Sequence, residues 1–152
     1  MRVEIVAVGR ARAGPELALY ESYVRRIRWD LTLREVEEKR RLPAEQLKER
    51  EGELILSAIP RDAAVLALDE AGRGVSSVEF ARLMADIRDN GRARVVFVIG
   101  GAEGLSAPVR DRADLLISFG RQTWPHMLVR AMLAEQIYRT QQILAGHPYH
   151  RG

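Results

Sequence analysis

Short apolar runs alternate along the chain with stretches in which apolar residues recur every three or four positions. The short runs have the length and composition of β-strands, and the periodic stretches have the spacing of amphipathic helices. Strands separated by helices predict a single α/β domain over residues 1–152, with a mostly parallel sheet flanked by helices. The predicted strands are VEIVAVG (3–9), LTLREVEE (31–38), AVLALD (64–69), RVVFVIGG (94–101) and DLLISFG (114–120).

Prolines and a capping pattern mark the helix boundaries. Pro15 stands in the first turn of one predicted helix, and Pro43 opens a second helix that ends at Pro60. Ser76 and Glu79 have the spacing of a capping box, in which each side chain satisfies an amide at the helix start. Two further helices are predicted at 108–113 and 126–145, and the last one carries a stripe expected to face the core: Val129, Leu133, Ile137, Thr140 and Leu144.

Composition limits the chemistry that the chain can support. It has 152 residues, 47% of them apolar and 30% charged, which fits one globular domain with a real core. Cysteine is absent, so disulfides and thiolate chemistry are excluded. The amino terminus lacks a secretory pattern, and no uncharged run approaches a membrane span, so we expect a cytoplasmic protein without a membrane partner.

The charge balance permits a nucleic-acid partner. Net charge is +3, and since the lysines are Lys39 and Lys48 alone, 22 of the 24 basic residues are arginines. Arginine suits phosphate and base edges, although a genome that prefers arginine codons explains the excess equally well. The charged run at 37–41 is interpreted as a solvated strand end.

Three segments lie at the predicted carboxyl ends of strands, where open parallel sheets bind ligands. They are Leu68-Asp69, GGAEG (100–104) and FGRQTWPH (119–126). The glycine segment lacks a dinucleotide or phosphate-loop spacing, so it is either a ligand-contacting turn or only a tight turn. Glu103 either orients a ligand hydroxyl or favours the positive end of the next helix. In the third segment, backbone groups around Trp124 suit a flat ring such as adenine; the alternative is a helix start with a packed tryptophan.

Other catalytic patterns find no support. His126, His147 and His150 lack the cysteines or clustered carboxylates that would complete a metal site, so no metal is predicted. The chain also has no Gly-x-Ser-x-Gly elbow for serine hydrolysis.

Several of these segments occur in order and carry a family resemblance. VEIVAVG, LALDEAGRGVSS, VFVIGGAEGLS, TWPHMLVRAMLAEQIYR and the closing HPYHR together resemble the bacterial 23S rRNA pseudouridine N3-methyltransferases of the SPOUT superfamily. The resemblance runs nearly end to end, and its final third is the most specific part. Two departures stand out: Ala102 replaces a common proline, and residues 121, 122 and 124 replace smaller or more apolar ones.

The resemblance implies a fold and an activity. It implies a carboxyl-terminal deep trefoil knot, a homodimer, S-adenosylmethionine as the methyl donor, and no metal. The implied reaction is N3 methylation of a pseudouridine in the 23S rRNA hairpin that lies at the interface of the ribosomal subunits. The implied substrate is the assembled ribosome, and no DNA partner is expected. The donor-binding residues that it implies are Leu68, Gly101, Gly120, Arg121, Gln122, Thr123, Trp124 and Pro125.

The carboxyl-terminal tail corresponds to the catalytic end of the family. The resemblance implies a catalytic role for Tyr149, His150 and Arg151. It also implies that the tail of one subunit closes the donor pocket of the other subunit over the target base. A histidine titrates in a range useful for removing the N3 proton, and an arginine can grip a phosphate or carbonyl oxygen. Candidate rRNA phosphate contacts, which could equally be solvated arginines, are Arg10, Arg12, Arg130 and Arg139.

Two competing functions remain open from the sequence. One is a flavin- or nicotinamide-dependent α/β enzyme, which would need a phosphate fingerprint that the chain lacks. The other is a ribosome-binding or assembly factor without a methyl donor, for which Ala102 is the only supporting feature.

Overall fold

The computed structural model describes residues 1–151; Gly152, the last residue of the predicted domain, lies outside them. Five strands and five helices alternate along the chain, which confirms the predicted α/β domain. The strands are β1 (Arg2–Val8), β2 (Asp30–Val36), β3 (Ala64–Gly74), β4 (Arg94–Ile99) and β5 (Leu115–Ser118). The helices are α1 (Pro15–Val24), α2 (Ala44–Ala58), α3 (Ser77–Asp89), α4 (Ala107–Arg112) and α5 (His126–Leu144).

All the strands pair in parallel in one sheet of order β2-β1-β4-β3-β5. The central strand β4 is apolar and buried along almost its whole length, because helices cover both faces of the sheet. Strand β2 lies at an edge, and its side chains alternate between exposed and half-buried, as its alternating sequence predicts.

The sheet separates two apolar cores. One core lies under α1, α3 and α5, where Phe80 stacks on Phe97 with ring centroids 5.8 Å apart. The other lies under α2 and α4 and includes Ile55 and Val109. The β5–α5 connection begins at β5, the edge strand next to β3, and ends beside Gly9, which follows β1. It therefore crosses the carboxyl ends of β3 and β4.

The helix starts follow the predicted signals. Glu79 donates its amide to Ser76 Oγ at 3.1 Å, and the Ser76 amide donates back to Glu79 Oε2 at 3.2 Å, so the capping box forms. The stripe of α5 is only partly buried: Leu133, Ile137 and Thr140 are in the core, but Leu144 is 37% exposed. Leu144 stands on the last turn, beyond the helices that cover the rest of α5.

Four strands differ from their predicted lengths: β2, β4 and β5 are shorter than predicted, and β3 is longer. Strand β4 ends at Ile99, so both following glycines belong to the loop. Strand β3 runs five residues beyond Asp69, because Arg73 and Gly74 pair with the end of β5 after a register shift. Gly72 makes this approach possible, since a Cβ there would lie 2.7 Å from backbone carbon atoms of β5.

The trefoil knot stays a prediction. Within residues 1–151, no helix combines the length and the apolar character needed to cross a membrane.

Candidate active site

A cleft of 790 Å³ opens at the carboxyl edge of the sheet, between the ends of β3, β4 and β5. Its walls are the three segments that the strand-end rule selects, so the sheet geometry brings distant parts of the chain together. Of the eight predicted donor-binding residues, seven line it: Leu68, Gly101, Gly120, Gln122, Thr123, Trp124 and Pro125.

Arg121 does not line the cleft, unlike its neighbours on both sides. Its side chain is exposed on the outer side of the β5–α5 loop.

The glycine segment forms a tight turn that also faces the cleft. Gly101 and Gly104 form a bridge, with the Gly104 amide donating to the Gly101 carbonyl at 3.1 Å. A Cβ on Gly100 would lie 2.8 Å from Leu105 Cδ2, so this turn admits no side chain there. Both interpretations of the segment are therefore compatible: the glycines make the turn, and the turn exposes its backbone to the cleft.

The β5–α5 loop is fixed by its own hydrogen bonds. Ser118 Oγ accepts from the Gly120 amide at 3.0 Å, and Thr123 Oγ1 donates to Glu70 at 3.1 Å. Trp124 donates its indole N–H to the Phe119 carbonyl at 3.3 Å, but 39% of its surface stays exposed. Trp124 is thus an open aromatic wall of the cleft rather than a packed core residue.

Charged groups around the cleft are mostly paired. Arg110 donates to Asp69 Oδ2 at 2.5 Å across the cleft floor, and Lys48 pairs with Glu45 at 3.3 Å. Glu51 of α2 differs: it is 7% exposed, and its Oε1 has no hydrogen-bond partner among the described residues. Burial raises the pKa of Glu51, and the nearby Glu103 carboxylate raises that pKa further. Sequence reasoning missed Glu51, because a glutamate in an amphipathic helix is ordinarily exposed.

His126 lies where α5 begins and faces two cavities. It lines the cleft and also a second cavity of 430 Å³ beside Arg10 and Arg12. Its ring packs against Gly9, where a Cβ would lie 3.2 Å from the ring, and its Nδ1 is buried without a partner in the described part of the chain.

Two predicted surface arginines on α5 have structural partners instead. Arg130 is buried and donates to Glu35 Oε2 at 2.5 Å and to the Gly9 carbonyl at 3.0 Å. Arg139 donates twice to Glu135 and stacks over the ring of Tyr149. Arg130 is therefore excluded as an rRNA phosphate contact, whereas Arg10 and Arg12 remain exposed enough for that role.

The tail packs on the far part of α5. Tyr149 donates its hydroxyl to Glu135 at 3.2 Å, and its ring meets Tyr138 edge-on at 4.8 Å. His150 accepts at Nδ1 from Arg139 at 3.0 Å. Burial raises the pKa of Tyr149, and the Glu135 carboxylate raises it further. Glu135 stands nine residues after His126, about 14 Å along the helix axis, so the tail does not line the cleft of its own chain.

A groove of 670 Å³ lies beside the tail, between α1, α3 and α5. Apolar side chains line much of it, including Tyr23, Phe80 and Met132, and Leu19 on its rim is 43% exposed. As for metals, residues 1–151 bring no three His, Asp or Glu side chains together in a group that could hold an ion.

Comparisons with known proteins identify the family of this chain. The family described as "Predicted SPOUT methyltransferase" matches residues 1–150. A protein of Rhodospirillum centenum named Ribosomal RNA large subunit methyltransferase H is 58% identical over 151 residues, which cover 99% of each chain. Proteins with the same name from Rhodospirillum rubrum and Paracoccus denitrificans are 48% and 52% identical, again with 99% of each chain covered. Because the match spans nearly the whole sequence and the fold is the expected parallel α/β domain, the chain belongs to the SPOUT methyltransferase family.

Proposed function

We propose that this protein is an S-adenosylmethionine-dependent methyltransferase of large-subunit ribosomal RNA, acting in the cytoplasm on N3 of a pseudouridine in 23S rRNA. One observation carries the proposal. Seven of the eight residues that the family resemblance assigns to the donor lie together around one cleft at the carboxyl edge of the sheet. The names of the relatives, which specify ribosomal RNA of the large subunit, support the substrate class.

The cleft fits a donor of this chemistry. Its glycine turn and the β5–α5 loop offer backbone amides and carbonyls at the edge of a flat slot, which suits an adenine ring beside Trp124. The donor supplies a methyl group on a positively charged sulfur, which becomes a neutral thioether after transfer. The orphaned carboxylate oxygen of Glu51 next to this turn is consistent with a cationic ligand.

The protein's main task in this reaction is positioning. The N3 nitrogen must stand behind the methyl group in line with the bond that breaks, and it must lose its proton to become nucleophilic. His150 is the candidate to accept that proton, and Arg151 the candidate to hold a carbonyl or phosphate oxygen of the target. Both stand at the tail, away from the cleft of their own chain.

This separation favours a homodimer in which each tail completes the other subunit's cleft. The groove lined by Tyr23, Phe80 and Met132 supports the proposal, since a second copy would cover an apolar surface that otherwise faces water. Tyr149 lies beside this groove, because its partner Glu135 lines it.

The function is tested with ribosomes from a strain that lacks the modification. The purified protein is incubated with labelled S-adenosylmethionine and with ribosomes, free large subunits or naked 23S rRNA, and the methylated nucleotide is identified by mass spectrometry. We expect one N3-methylated pseudouridine, formed best on assembled ribosomes. Donor binding without methylation of any of the three RNAs would contradict the proposed substrate. The absence of donor binding in calorimetry would contradict a methyltransferase altogether.

A further inference from the structure

Glu51 lies directly behind the turn that faces the donor cleft. A Cβ on Gly101 would stand 3.2 Å from both carboxylate oxygens of Glu51 and 3.0 Å from Val8. The next residue on α2, Gly52, allows the helix to approach Ser106 closely, because a Cβ at Gly52 would overlap the Ser106 hydroxyl. Helix α2 therefore packs closely against the turn, and the carboxylate of Glu51 lies next to Gly101, which has no side chain.

This carboxylate is unusual among those around the cleft. Asp69 is paired with Arg110, and Glu70 accepts a hydrogen bond from Thr123. Glu51 forms no salt bridge with any residue in 1–151, and its Oε1 accepts no hydrogen bond there. A buried acid without a counter-ion is costly in free energy, so its position calls for a ligand that offsets the cost.

The placement of Glu51 selects the kind of positive charge that it can stabilise. An ammonium group is best recognised by direct hydrogen bonds, but Glu51 does not line the cleft and so is not placed to accept them from a ligand there. A sulfonium has no N–H or O–H to donate, so a nearby negative charge can stabilise it without a hydrogen bond. A buried carboxylate next to a thin glycine turn supplies such a field over a short distance.

We propose that Glu51 is the residue that stabilises the sulfonium charge of the donor, so that the cleft binds S-adenosylmethionine in preference to its thioether product. The inference rests on the proposed function, since it takes the donor as given. Glu51 acts through space across the Gly101 turn and touches no reacting atom. Methyl transfer removes the positive charge from sulfur, so the attraction disappears in the step that forms product. Glu51 therefore also favours product release.

The test compares the dissociation constants of S-adenosylmethionine and S-adenosylhomocysteine by titration calorimetry on the full chain. The Glu51→Gln variant keeps the shape of the side chain and removes its charge. We expect it to weaken donor binding by about tenfold and to change product binding by less than about twofold. Equal losses for both ligands, or no loss for either, would overturn the proposal, because a purely structural role cannot distinguish two ligands that differ by one methyl group and its charge.

Two controls sharpen this comparison. Glu49→Gln removes an exposed carboxylate from the same helix, away from the cleft, and solvent screening should keep its donor-to-product ratio within about twofold of the unmodified protein. If Glu51→Gln fails to fold by circular dichroism, the pair Glu51→Asp and Glu51→Asn replaces it. These two side chains match in size, and only the aspartate should retain the preference for the donor.

The two proposals fail in different ways. If the unmodified protein binds neither ligand, the proposed function is wrong. If it binds both and the Glu51→Gln variant shows the same ratio, the methyltransferase assignment stands and the role of Glu51 is wrong.

Discussion

Arg130 joins three segments that are distant in sequence. Its guanidinium donates to Glu35 on β2 and to the carbonyls of Val8 and Gly9 after β1, while Glu35 also accepts from the Ala11 amide at 2.6 Å. Burial alone would raise the pKa of Glu35, but the hydrogen bonds from Arg130 and Ala11 lower it overall. The pair thus fixes the β1–α1 loop beside the cleft.

The sequence contained a signal for this buried arginine. Arg130 precedes Leu133 by three residues and Ile137 by seven, so it stands on the apolar stripe of α5. A charged residue on a core stripe indicates a buried ion pair, but only the fold supplies its partner, which comes from a strand 95 positions away.

Replacing Arg130 by methionine should destabilise the protein strongly. The change removes the guanidinium that donates to Glu35 and to two backbone carbonyls. Removing one partner of a buried ion pair lowers the free energy of unfolding by about 3 kcal/mol. Urea unfolding at neutral pH measures this loss.

Two further variants test whether pairing explains the effect. Arg34→Met removes a surface arginine that pairs with Glu4 at 3.8 Å and is 60% exposed, so it should cost less than about 1 kcal/mol. Adding Glu35→Gln to the Arg130→Met variant should recover part of its loss, because no unpaired charge then remains. If Arg34→Met and Arg130→Met lowered the free energy of unfolding by equal amounts, the buried ion pair would not explain the effect at Arg130.

At the scale of elements, local signals determine where helices begin and which strands are buried. The capping box at Ser76, the prolines before α1 and α2, and the apolar run of β4 all act within a few residues of one another, so the sequence predicts them correctly. The extension of β3 to Gly74 depends on pairing with β5, more than 40 residues away, and no local pattern announces it.

The capping box should contribute measurably to the stability of α3. Ser76→Ala removes the oxygen that accepts from the Glu79 amide, and loss of such a cap costs about 1 kcal/mol. Urea unfolding should show this decrease. Ser57→Ala is the matched control, since that hydroxyl bonds only a carbonyl of its own helix and should change stability by less than about 0.5 kcal/mol. Equal effects of the two changes would contradict the capping role.

The charged segment 37–41 is more ordered than the solvated strand end that its composition predicts. Glu38 accepts from Arg40 at 2.8 Å and from Arg50 of α2 at 3.0 Å. The Arg40 side chain and amide, followed by Arg50, lower the pKa of Glu38 from 4.5 to about 2. This cluster joins the end of β2 to α2.

The stability of the protein should reflect this lowered pKa in acid. Because the folded state favours ionised Glu38, its contribution is complete above the ordinary pKa of 4.5 and is lost as the pH falls toward 2. The difference in unfolding free energy between the unmodified protein and Glu38→Gln should therefore shrink over this interval in urea titrations. Asp62→Asn, at an exposed turn, serves as the control. A difference that grows as the pH falls would contradict the assignment.

At the scale of the whole molecule, the cleft and the tail stand at different ends of α5. The cleft lies at the start of the helix, and Tyr149 and His150 are held near its end by Glu135 and Arg139. The proposed homodimer would bring the tail of one subunit to the cleft of the other.

Mixed dimers test this arrangement. Two inactive variants, His150→Ala in the tail and Gly101→Val in the cleft, are co-expressed with different tags and purified through both. A heterodimer has one of its two sites intact if the tail acts on the neighbouring subunit, so the heterodimer purified through both tags should recover about half of full methylation. If tail and cleft of one chain act together, no combination recovers activity. Light scattering establishes the dimer, and calorimetry should show that His150→Ala still binds the donor.

The sequence by itself determined the order of strands and helices, the three strand ends that form the cleft, and the family. These features depend on residues close together in the chain, whose spacing and composition are visible directly. The tertiary structure decided that Arg121 faces outward, that Arg130 and Glu51 are buried, and that the tail lies away from its own cleft. Each of these depends on contacts between segments tens of residues apart, because burial and pairing are properties of the packed chain rather than of any segment within it.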